Sequence, residues 1–312
     1  MVSITLLLKV VSELQGSIFF DRLGRIAWLH ICLALIFNSV AMFGGMIRWV
    51  FLLHLMRFKL THFQSFKLYF VASLINQAVP SIVGGDSYRI IGAVRINQAN
   101  DSLVGTPSEE RSHFGVSFLA TFFDRLLGLF SLLLLGSITL WVVGDMIGEK
   151  VNSFGVLVMC ALMFMLFITK LLVRLKFFQN MVSKLSRRSD FFVQFVCEIL
   201  LVRRISFLVF SGLVIHICSI FSLYFCFRAI GTYLPIMALS LCYTAVSLLS
   251  LIPITIGGWG VRELTISGIL VVWGVSSEQS ILASVIFGLV NVASVLPAAY
   301  WLFQDRQSSL AT

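Results

Sequence analysis

The sequence predicts an all-α fold, a polytopic membrane helix bundle of about six to eight spans with two re-entrant Pro-x-x-x-Gly-Gly hairpins. Three observations predict it. Of 312 residues, 59% are hydrophobic and only 12% are charged, and mean hydropathy is +0.99. Soluble domains carry about 25% charged residues, and a water-soluble core has no place for so much apolar surface. The apolar residues come in long unbroken runs, not in the short alternating segments of a β-barrel. Finally, one polar phrase interrupts those runs twice. Residues 80–89 read "PSIVGGDSYR" and residues 253–262 read "PITIGGWGVR", and both fit Pro-x-x-[Val/Ile]-Gly-Gly-x-x-x-Arg.

The elements follow in order. Residues 1–25 read as an interfacial helix or a partial first span: the apolar run is broken by Lys9 and Glu13, and no small-x-small cleavage site follows. Runs near 26–47, 114–143, 151–173, 205–229 and 279–303 are long enough to cross a bilayer, which takes about 20 residues. Two further regions, 68–84 and 235–256, are apolar but run into the repeated phrase, and a shorter run, 263–275, follows its second copy. The polar stretch 97–113 is the one longer loop. This makes a single membrane domain, 26–303, with a short tail, 304–312.

Charge orients the spans. The net charge of +9 belongs to cytoplasmic loops and anionic headgroups; no nucleic-acid motif accompanies it, so nucleic acid is not an expected partner. Residues 170–204 hold Lys170, Arg174, Lys176, Lys184, Arg187, Arg188, Arg203 and Arg204 against Asp190 and Glu198, and are expected on the cytoplasmic side. Asp145 and Glu149 put 144–150 outside, so 85–113 lies inside. The stretch 48–67, with Arg48, Arg57, Lys59 and Lys67 and no acid, also belongs inside. Both flanks of 68–84 then share one face, which a re-entrant hairpin satisfies and a single crossing does not. By the same reasoning the second hairpin enters from the opposite face, which suggests an inverted repeat.

The repeated phrase carries the chemistry. Pro80 breaks a helix, and Gly84 and Gly85 allow unusual dihedrals and close approach. A helix beginning at Asp86 or just after would aim free N–H groups and the positive end of its dipole into the membrane, which makes an anion site within reach of Arg89. Gly257, Gly258 and Arg262 repeat the arrangement, with Glu263 beside the arginine. Two such starts facing a common centre suit a phosphate carried on a lipid. Alternatively, the glycine pairs serve close helix packing and the arginines snorkel to headgroups. "FFDRLLGL" adds Asp124 and Arg125 roughly 16 Å into their run, near the midplane, where charges pair or line a pathway. Arg89 or Arg262 would answer Asp124, and Asp86 or Glu263 would answer Arg125; a structural ion-pair lock is the other reading.

Lesser polar residues fall into place around these. Asn76 and Gln77 precede Pro80 and either cap the broken hairpin or contact a ligand. His216 reads as a packing histidine more than a relay, and Asn291 as interhelical glue. Trp28, Trp49, Trp141 and Trp301 sit near span ends, as interfacial anchors do. The six cysteines read as small apolar packing residues. No cofactor motif and no metal-ligand spacing is found.

In this order, "PSIVGGDSYR", "DRLLGL" and "PITIGGWGVRE" resemble the membrane region of bacterial lysylphosphatidylglycerol synthases and related stand-alone flippase-like proteins, over roughly residues 26–303. The resemblance implies a polytopic protein of the bacterial inner membrane with re-entrant elements, handling an aminoacylated phospholipid, a polyprenyl-phosphate carrier or a hopanoid-related lipid. The motif positions map onto Pro80, Gly84, Gly85, Asp86, Arg89, Asp124, Arg125, Gly257, Gly258, Arg262 and Glu263. With no soluble aminoacyl-transferring domain in view, lipid aminoacylation by this chain alone is not expected, and the N-terminal span of many relatives reads as shortened.

The leading expectation is therefore a lipid translocase or lipid-carrier binding protein. An intramembrane enzyme on a lipid head group, with Asp86, Asp124 and Glu263 as acids or bases, is the second. An accessory subunit of a synthase or glycosyltransferase is the third.

Overall fold

The computed structural model describes residues 24, 26–55, 58, 60–79, 82–100, 107–147, 202–251, 255, 257–302 and 304. Among them are eight α-helices: α1 (Trp28–Leu55), α2 (His62–Ala78), α3 (Ile82–Asn100), α4 (Pro107–Ile147), α5 (Val202–Ala229), α6 (Ile236–Leu249), α7 (Val261–Leu270) and α8 (Ser277–Val295). Four stretches are long and apolar enough to cross a membrane: Trp28–Leu55, His113–Gly144, Arg203–Ala229 and Ser277–Leu302. These are four of the five spans read from the sequence. The fifth, 151–173, the basic stretch up to 201, Pro80 and Pro253 lie outside the described residues.

Local chemistry sets the boundaries. Thr61 and Gln64 form a reciprocal capping box at the start of α2, and Ser276 and Gln279 form another at α8, each satisfying two orphan amides. Val79 ends α2 in an extended conformation, as the residue before a proline must. After α5 the chain turns at Gly231, with φ of 75°, and the Thr232 amide returns to the Phe227 carbonyl, a glycine helix stop. The first apolar run extends past Arg48 to Leu55, because Arg48 finds an acid and is buried rather than marking a loop.

The chain forms two compact units. The first comprises residues 1–46, 61–93 and 215–312. In it α2 packs on α8 around Phe70, Val71, Val295 and Ala298, ringed by Phe66, Tyr69 and Trp301, and α7 packs against α6 and α8. Phe37 of α1 stacks on Phe221 and Phe225 of α5. Polar glue between helices comes from Asn38 Nδ2, which donates to Ser294 Oγ at 2.8 Å, and from Ser222 Oγ, which donates to the Ala34 carbonyl at 2.9 Å. Asn291, expected in that role, instead donates to the Phe287 carbonyl one turn back in its own helix.

The second unit comprises residues 47–60 and 94–214. Trp49, expected at an interface, is fully buried there and donates from Nε1 to Thr121 Oγ1 of α4 at 3.1 Å. Trp28 and Trp141 are exposed near helix ends, as expected of anchors.

Candidate functional site

Both copies of the repeated phrase fall in the first unit. The first sits on a helical hairpin. α2 and α3 run antiparallel, with Leu68 against Gly92 and Asn76 against Gly85. α3 starts at Ile82, four residues before the expected start at Asp86, so Gly84 and Gly85 are helical. Positive φ values among the described glycines occur at Gly231, Gly257, Gly258, Gly260 and Gly274. The first pair therefore serves contact, not a turn. A Cβ on Gly85 would overlap the Ala72 carbonyl and the Asn76 side chain, whereas one on Gly84 would meet Ile75 and Val79 at ordinary distances of 3.5 Å. The Gly85 amide, in the first turn of α3, donates to Asn76 Oδ1 at 3.0 Å.

The second copy is built differently. Gly257, Gly258 and Gly260 adopt φ of 58°, 78° and 89°, and α7 begins at Val261 just after them, close to expectation. The third glycine explains the difference between the copies: the residue matched to Gly260 in the first phrase is Ser87, which does not share glycine's freedom at positive φ. The Gly260 amide donates to Glu263 Oε2 at 2.6 Å, so the start of α7 is occupied by the protein's own carboxylate.

Each arginine has its own acid and its own aromatic ring. Arg89 donates from Nε and Nη2 to Asp86 Oδ1 at 3.2 and 2.9 Å, and its guanidinium lies 5.3 Å from the Tyr69 ring centre. Arg262 donates from Nε and Nη2 to Glu263 Oε1 at 3.0 and 2.7 Å and lies 4.5 Å from the Trp259 ring centre. Ser284 of α8 joins this group, accepting from Arg262 Nε and donating to Glu263 Oε1, both at 3.2 Å. Gly288 of α8 leaves room for the guanidinium: a Cβ there would sit 2.7 Å from Arg262 Cζ. Both arginines are buried.

The end of α2 meets the second glycine pair. A Cβ on Gly257 would lie 3.1 Å from the Gln77 carbonyl oxygen and 3.2 Å from its Oε1, so the end of α2 rests on the second glycine pair. Of the pair Asn76 and Gln77, the first caps α3 and the second makes this contact.

Asp124 and Arg125 lie on α4 in the second unit. The partner seen for Asp124 is Arg48 of α1, whose Nε donates to Oδ1 at 2.8 Å, where the sequence reading expected Arg89 or Arg262. Asp124 is buried and Arg125 exposed, as neighbours about 100° apart on a helix must diverge. Arg48 lies in a slot beside Gly128 and Gly212, with Nη1 within 3.2 Å of a Cβ on Gly212; Nη1 is buried with no hydrogen-bond partner among the described residues. Arg48 was missed because an arginine after an apolar run reads as a loop marker. Gly288 and Ser284 left no sequence signal, being small residues in an apolar helix. His216, near the centre of the α5 span, meets the Tyr243 hydroxyl of α6 at 3.2 Å.

The family model for the lysylphosphatidylglycerol synthase TM region matches residues 1–299. A comparison with curated proteins finds no match.

Proposed function

The chain belongs to the lysylphosphatidylglycerol synthase TM-region family, a multi-pass integral membrane protein, and from that premise we propose that it binds and translocates an anionic lipid or a lipid-linked phosphate across the bacterial inner membrane. The observation that supports this reading is the contact between Gln77, at the end of α2, and Gly257, within the unit that holds both Arg89 and Arg262.

The chemistry is one of competing anions. Each guanidinium holds a single carboxylate oxygen through two N–H groups, Asp86 Oδ1 on Arg89 and Glu263 Oε1 on Arg262. A phosphate oxygen matches that fork equally well. Asp86 and Glu263 act as stand-in anions, occupying the arginines when no headgroup is present and displacing it when it must leave. A transport site needs binding weak enough to release, and an internal competitor supplies that weakness. Both arginines are buried, so a headgroup reaches them when the contact between Gln77 and Gly257 opens. Hairpins that dip in from opposite faces would open to one leaflet at a time. Asn76 holds the start of α3, Gly85 sets the approach of α3 to α2, and Gly257 sets the contact with the end of α2.

The reading is non-enzymatic. The three carboxylates suited to acid or base work, Asp86, Asp124 and Glu263, are each held by an arginine. The test is headgroup-labelled phosphatidylglycerol in proteoliposomes, scored by quenching from outside. Arg262→Gln and Arg89→Gln are each expected to lower the flipping rate at least about tenfold, the loss of one charge-assisted contact, while the protein elutes as before. Unchanged rates in both would reject the site; release of a cleaved product would favour an enzyme instead.

A further inference from the structure

Gly45 of α1 makes room for Tyr69 of α2. A Cβ on Gly45 would overlap the Tyr69 hydroxyl and stand 3.1 Å from its Cζ. Large neighbours frame this notch. Met42 and Met46 pack with Tyr69 on the core of Phe70 and Val71, and the Phe43 ring meets those of Phe66 and Phe70 at 5.5 and 5.2 Å between centres. The absence of a side chain at 45 is what lets α1 come so close to α2 here. The tyrosine ring seated in this way carries Arg89 of α3, whose Cζ lies 5.3 Å from the ring centre. All of these residues belong to the first unit. Arg262 has matching company, the Trp259 ring at 4.5 Å and Gly288 of α8. Each arginine thus has an aromatic ring and a glycine supplied by a helix outside the repeated phrase.

On the reading of Arg89 as a headgroup ligand, we propose that Tyr69 is a positioning residue for Arg89 and that Gly45 is the seat that fixes Tyr69. Asp86, the carboxylate partner of Arg89, stands one turn away on the same helix and is the group that a phosphate displaces. A ring face attracts the cation without accepting a hydrogen bond from the guanidinium plane. Tyr69 therefore keeps its hold while the anion on Arg89 is exchanged. The hold comes from α2, and α1 fixes the hydroxyl end of the ring, so the guanidinium is presented at one place with either anion. Without the ring, a phosphate must itself immobilise a long, rotamer-rich side chain, and binding weakens.

The test measures flipping of headgroup-labelled phosphatidylglycerol in proteoliposomes as a function of its mole fraction. Tyr69→Leu and Gly45→Ala are each expected to raise the half-saturating fraction about fivefold and to leave the maximal rate within about twofold. Loss of folded protein would do the reverse, lowering the maximal rate at an unchanged half-saturation point. Adding Tyr69→Phe to Gly45→Ala removes the overlapping hydroxyl, keeps the ring and is expected to restore most of the binding. If Gly45→Ala does not fold, Tyr69→Leu carries the test by itself. An unchanged half-saturation point, or a loss confined to the maximal rate, overturns the positioning role and leaves the headgroup reading standing so long as Arg89→Gln slows flipping. Flipping that Arg89→Gln leaves unchanged rejects that reading and this inference with it.

Discussion

Gln77 and Gly257 meet at the end of α2, the Gln77 carbonyl oxygen lying 3.1 Å from where a methyl on Gly257 would stand. Gly257 also carries φ of 58°. An alanine there would bear the left-handed penalty and press the end of α2 away.

Gly257→Ala is therefore expected to destabilise the protein by roughly 1–2 kcal/mol from backbone strain alone, and to slow transport. Thermal unfolding in detergent, with flipping in liposomes, checks both. A variant as stable as the unmodified chain would show that the second phrase does not need its turn.

The first glycine pair gives a contrast one residue apart. Gly84→Ala is expected to be neutral or to stabilise by about 0.5–1 kcal/mol, as in a helix interior, because its Cβ meets only ordinary contacts. Gly85→Ala is expected to cost about 1–3 kcal/mol, because its Cβ overlaps Ala72 and Asn76. Melting temperatures of the pair decide this; equal values would mean that α2 and α3 are not packed at Gly85.

Arg48 and Asp124 form a buried ion pair between α1 and α4. Asp124→Leu leaves a buried guanidinium without that carboxylate and is expected to cost about 3–5 kcal/mol. The double variant Arg48→Met with Asp124→Leu is expected to recover most of the loss, since an apolar pair of similar volume replaces a buried ion pair at little cost. A double-mutant cycle on unfolding in SDS measures the coupling, and simple additivity would refute the pair.

Gly288→Ala places a methyl against the Arg262 guanidinium. It is expected to displace Arg262 from Ser284 and Glu263 and to lower flipping without touching a charged residue. Gly268→Ala, whose Cβ meets nothing within 4 Å, is the matched control and is expected to transport normally.

What could be read in the sequence was whatever depends on runs and spacing. Apolar runs located the four described spans, three of them to within two residues and the first short by eight at its end, and the repeated phrase lies at the starts of α3 and α7. What depends on partners could not be read. Asp124 is joined to a residue 76 positions away, and nothing local to "FFDRLLGL" names Arg48. Gly84 and Gly257 occupy the same offset in the repeated phrase, yet one is helical and the other is not. The deciding residue is Gly260, outside the shared pattern. Trp49 looked like an interfacial anchor until Thr121 was seen to take its indole N–H.

Pairing Arg89 with Asp86 and Arg262 with Glu263 has an electrical consequence. An elementary charge crossing the bilayer exchanges about 2.3 kcal/mol per 100 mV with the membrane potential. Each of these pairs sums to zero, so rearranging the vacant hairpins does no work against the voltage through them. In the proposed cycle, only the step that carries a charged headgroup would feel the field through these groups, so a membrane potential would bias the loaded step and leave the return step alone.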